Sequence, residues 1–134
     1  MRAHETYDYA VIRVVPRVER GEFINVGVIL SCERTRFLEA RIEVDEARLR
    51  ALDPDVDTDM VCRHLAAITA VCRGGEAAAP IGLLPLRTRF HWLTAQRSAI
   101  IQTSPVHMGR CTGDLEATLA HLMVQMVRLP KQNN

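Results

Sequence analysis

Between residues 77 and 113 the chain has no aspartate or glutamate. The same interval carries Arg87, Arg89, Arg97 and Arg110 together with His91 and His107, so an anion meets little electrostatic opposition there. Aromatic side chains are also scarce, six in all including the single Trp92. Single strands of nucleic acid are held by stacking on exposed rings, and only Phe90 and Trp92 lie near these arginines. A sequence-reading nucleic-acid module is therefore disfavoured, while non-specific contact stays open. Lysine is nearly missing, one against sixteen arginines, which a GC-rich genome explains more simply than a demand for phosphate recognition. No Cys-X-X-Cys pair occurs: Cys32, Cys62, Cys72 and Cys111 are scattered in a chain too large to depend on disulfide staples, as expected of reduced thiols in a cytoplasmic protein. No run approaches the roughly 18 apolar residues of a membrane span, and residues 1–6 hold no apolar leader core, so neither export nor membrane insertion is expected. No repeat is present. No spacing matches a nucleophile elbow, a phosphate loop or a closed metal site, so no cofactor is expected and no reaction is named.

What is present points to one domain over residues 1–130, followed by a disordered tail at 131–134; 134 residues suffice for a substantial core. Net charge is only +1, but its distribution is uneven. Seven acids, Glu43, Asp45, Glu46, Asp53, Asp55, Asp57 and Asp59, precede the basic interval.

Residues 7–15 are rich in β-branched and aromatic side chains on both alternating faces, which predicts an interior strand. Residues 23–32 alternate Ile24, Val26, Val28, Leu30 and Cys32 against Asn25, Gly27 and Ser31, a second strand with one apolar face. The charged stretch 17–22, with Gly21, joins the two as a hairpin. Residues 37–44 alternate Leu38, Ala40, Ile42 and Val44 with charged positions, completing a three-stranded meander. The period then changes to helical. A short helix over 45–52 stops before Pro54. A longer one follows, carrying Val61, Leu65, Ile68 and Cys72, with Asp57 or Thr58 as N-cap and Gly74-Gly75 as its stop. Residues 76–85 read as a surface loop, 87–95 as either a short helix or a strand, and 98–103 as a strand around Ala99-Ile100-Ile101. The strongest helical pattern is Leu115, Leu119, Leu122, Met123, Met126 and Val127, predicting a helix over 114–129 that buries Leu119, Leu122 and Met126 and leaves His121, Gln125 and Arg128 in solvent. Strands followed by helices predict an α+β domain: an antiparallel sheet of about four strands, covered mainly on one face by two main helices.

Two segments carry a resemblance. Arg20-Gly21-Glu22-Phe23-Ile24-Asn25-Val26-Gly27-Val28 follows a tyrosine-rich strand; Phe90-His91-Trp92-Leu93-Thr94-Ala95 leads through Arg97-Ser98 to Ser104-Pro105-Val106-His107-Met108-Gly109. Together they resemble the bacterial family catalogued as domain of unknown function 3037, over roughly residues 7–127. The resemblance implies a compact cytoplasmic domain and, through genes that neighbour such domains, a kinase-like protein partner of the persistence-toxin type. It implies no reaction, cofactor or catalytic residue.

Three chemistries compete for the basic interval. Ser104 and His107 invite a hydrolase or nucleotide-processing reading, with an acid such as Glu22 orienting the imidazole, but i and i+3 face opposite sides of an extended strand unless the turn at Pro105 brings them together. A zinc reading would draw His107 and Cys111 with Cys62, His64 or Cys72, although helical spacing points Cys62 and His64 about 200° apart. The sharpest reading is that Arg97, Gln102, Ser104 and His107 accommodate a phosphate or carboxylate, since guanidinium forks bond oxyanions bidentately and no acid in the interval competes. Its rival is that Arg97 pairs with an acid from residues 43–59. Arg20, Glu22 and Asn25, beside Gly21 and Gly27, form a second polar cluster, by default a solvated turn, that a composite site would include. The expected function is a non-catalytic binding or regulatory module with an anion-accommodating patch, engaging a protein partner or a second copy of itself.

Overall fold

The computed structural model describes residues 4–97 and 99–130. The expected tail at 131–134 and the Ser98 start of the expected strand lie outside the described residues. The β-branched run after Glu5 forms β1 (Glu5–Val14), followed by β2 (Ile24–Cys32) and β3 (Phe37–Ile42) as an antiparallel meander. Beyond β1 lie two short strands, β4 (Ile101–Thr103) and β5 (His107–Cys111), both antiparallel to it. The sheet order is β3-β2-β1-β4, with β5 also on β1. Four helices complete an α+β fold: α1 (Glu46–Leu52), α2 (Thr58–Arg73), α3 (Leu86–Thr94) and α4 (Leu115–Met126).

One expectation is corrected: the sheet is covered on both faces. Ile12 lies opposite Gly27 and Arg13 opposite Asn25, so Val26 is an extra residue on β2. A bulge shifts the alternation by one. Ile24 and Val26 therefore join Ile12, Val14 and Ile29 in a core under α1, α2 and α3. Val28, Leu30 and Cys32 pack on the other face with Tyr7, Leu119, Leu122 and Met123. The sequence concealed the switch because every residue of this alternating set is apolar. Its members are all buried.

The helix ends follow the capping chemistry. Asp45, Asp57 and Asp114 each accept a hydrogen bond from a backbone N–H in the first turn of α1, α2 and α4. At the far end of α2, Gly74 takes a φ of +76°, which a side chain would oppose. α4 stops at Met126 rather than residue 129; Leu119 and Leu122 are buried, Met126 is half-buried, and His121, Gln125 and Arg128 are exposed. The stretch 76–85 runs over the surface as expected but is tied down: it contains two short 3-10 turns, and Ala78 and Ile81 lie against the core.

Candidate anion-binding site

The acid-free interval is divided among several structural tasks. Arg87 on α3 meets Asp8 of β1 at 2.6 Å, pinning the helix to the sheet. Arg89 donates from Nη1 to the carbonyls of Val71 and Cys72, each at 2.8 Å, and so satisfies the end of α2. These two arginines serve the fold. Acids of the stretch 43–59 are engaged elsewhere: Glu43 binds Arg128, held below the usual carboxylate range chiefly by that hydrogen bond, and Asp53 binds Arg17.

Arg97 is exposed, and among the described residues it pairs with no carboxylate. Its Nη2 donates to the Trp92 carbonyl at 2.6 Å and its guanidinium lies 4.3 Å from the centre of the Trp92 ring. A guanidinium has five N–H donors, so most remain available. Gln102 sits on β4 opposite Arg13 of β1. Arg97, Gln102, Arg13, Gln96 and Phe23 line one recess of about 470 Å³ beside the 17–22 hairpin loop, and no acid contributes to its wall. Arg13 lies 4.2 Å above the Phe23 ring, and its Nε is buried without a hydrogen-bond partner. Sequence reasoning missed Arg13. The signal was the single cation of β1, set in the apolar run from Ala10 to Val15.

The other expected residues are placed differently. Ser104 is buried: it donates from its backbone N–H to the Val11 carbonyl and accepts the Val11 N–H on Oγ, both at 2.8 Å. Its hydroxyl donates to the Pro105 carbonyl at 2.9 Å. Three residues, 104–106, oppose Ala10 and Val11, and the serine side chain restores the ladder where proline has no N–H. His107 is exposed on the α4 side, its ring 5.4 Å from that of Tyr9. Asn25 donates from Nδ2 to the Met126 carbonyl at 2.9 Å and ties the end of α4 to the sheet. Arg20 and Glu22 pair at 2.5 Å in the hairpin, next to Gly21, which lines the recess. Arg97 and Gln102 are thus brought together with Arg13; Ser104, His107, Arg20 and Asn25 do not line that recess. Among the described residues no three His, Cys, Asp or Glu side chains converge as metal ligands, and no helix is long and apolar enough to cross a membrane.

The family model described as protein of unknown function, DUF3037, matches residues 9–127. The chain belongs to the DUF3037 family. That match runs from the middle of β1 past the end of α4, so the recess residues Arg13, Arg97 and Gln102 of this DUF3037 domain, and all four helices, lie inside it. No curated protein and no solved structure matches the chain.

Proposed function

We propose that this DUF3037 domain is a non-catalytic binding module that engages a protein partner and takes an anionic group, phosphate or carboxylate, at Arg13 and Arg97. One observation carries the reading: two guanidiniums with no carboxylate partner among the described residues line one recess, with the amides of Gln96 and Gln102 beside them. Two such cations held near each other repel, and an oxyanion relieves the repulsion while satisfying the buried Arg13 Nε. The commitment of the Ser104 hydroxyl to backbone supports binding over nucleophilic chemistry. Exposed Trp92, stacked under Arg97, and exposed Leu83 and Leu84 before the other end of α3 support a protein partner. Titration calorimetry with inorganic phosphate at low ionic strength tests the anion site. Wild type should bind, and Arg97→Ala or Arg13→Ala should each lose about 1.5–3 kcal/mol, tenfold or more. Absence of binding by wild type, or equal binding by both variants, defeats the reading. A pull-down with wild type and Arg97→Ala then identifies the partner.

A further inference from the structure

On the α2 side of the sheet a second cavity, of about 460 Å³, opens between α2, α3 and β4. Met60, Ile68 and Val71 form its α2 wall; Leu93, Ile100 and Ile101 close it from the other side. Its volume is within the range of small-ligand sites, which are apolar hollows with a few placed polar groups. Arg97 and Gln102 line both this cavity and the anion recess, so the two hollows meet around β4. The Trp92 ring, under the Arg97 guanidinium, belongs to the apolar one.

We infer that the domain binds a small amphipathic anion, an alkyl or aryl carboxylate or phosphate, with its apolar body between α2, α3 and β4 and its charged head on Arg97. This rests on the anion reading at Arg97 and extends it to a ligand class. An apolar molecule without charge would leave Arg97 unused. A bare inorganic anion would leave the cavity unfilled. Only a molecule with both parts matches the juxtaposition of an acid-free guanidinium and an apolar hollow. His64 of α2 adds one polar side chain to the cavity lining.

Trp92 is the only tryptophan of the chain, so its fluorescence reports on the site directly. Wild type titrated with butanoate, hexanoate, octanoate and decanoate should bind with affinity rising about fourfold per added methylene until the cavity is full. Decanol should bind at least tenfold more weakly than decanoate, and Arg97→Ala should erase that difference. Ala67→Phe, at an exposed α2 position on the cavity wall, should weaken decanoate at least tenfold while leaving inorganic phosphate binding unchanged. Affinity independent of chain length, with phosphate still bound, overturns the amphipathic ligand and spares the anion site. Equal affinity for decanol and decanoate overturns the proposal by removing the charged head. Loss of phosphate and decanoate binding alike overturns both readings.

Discussion

Ser104 shows how a residue's chemistry is decided by register. A serine three positions from a histidine is a candidate nucleophile by its sequence, yet its Oγ sits 2.8 Å from the Val11 nitrogen, in the gap that a bulge opens between β4 and β5. Replacing the hydroxyl leaves the Val11 N–H buried and unpaired. Ser104→Ala should therefore destabilise by about 1–3 kcal/mol in urea unfolding, with phosphate binding at Arg97 preserved after correction for the folded fraction. Unchanged stability would show that water replaces the hydroxyl and that the bulge does not depend on it. Nothing local separates a serine aimed at a ligand from one committed to the backbone, because the difference lies in which residue of a strand 93 positions away it faces. That Arg97 pairs with no carboxylate among the described residues has a reason visible in the sequence. An acid-free interval leaves it no neighbour in sequence to neutralise it, and of the acids in residues 43–59, Asp45 and Asp57 cap helices while Glu43 and Asp53 hold Arg128 and Arg17.

Elements with a single dominant period were legible; those whose period breaks were not. The meander, α2 and α4 follow from two- and 3.6-residue patterns with capping aspartates. β5 was missed because His107, Met108 and Arg110 are exposed and present no apolar face. The bulge at Val26 was missed because both faces of the sheet are buried, so the pattern carries no mark where it inverts. Gly27 follows that bulge where β3 approaches closely. A Cβ there would lie 2.5 Å from the Arg41 carbonyl oxygen and 3.1 Å from Ile12 Cδ1. The first of these is backbone and cannot swing aside. Gly27→Ala should cost about 1–3 kcal/mol, the usual range for overpacking, read as a lowered urea midpoint at unchanged slope. It should also disturb Ile24 and Val26 on one face and Val28 on the other, visible as amide shift changes spreading to both α2 and α4. A wild-type midpoint would mean that β2 and β3 part easily at this position, against a register that sets Gly27 opposite Ile42.

For the whole molecule, coverage of both sheet faces means that each face buries an ionisable group that has to stay neutral. Cys72 lies in the α2-side core, where burial pushes its thiol up to about 12. Tyr7 lies in the α4-side core, raised above 10.0 by burial first and then by the nearby Cys111 and Tyr9. In the unfolded chain the thiol loses its proton near pH 9. Between there and about 12 the folded state holds a proton that the unfolded state has released, so stability falls as pH rises, by about 1.4 kcal/mol per pH unit for one fully coupled group. The full contribution is present below pH 9 and is gone once pH passes the folded value. Tyr7 adds a loss of the same sign from about pH 10 upward. Because the two groups are on opposite faces, their effects should add. Urea unfolding between about pH 8 and 11 should show a steep decline for wild type, a shallower one for Cys72→Ala and for Tyr7→Phe, and the shallowest for the pair. The slope is the measure, since Cys72→Ala also leaves a cavity that lowers stability equally at every pH. Parallel curves for wild type and Cys72→Ala would mean that the thiol ionises in place, with solvent reaching the core between α2 and the sheet.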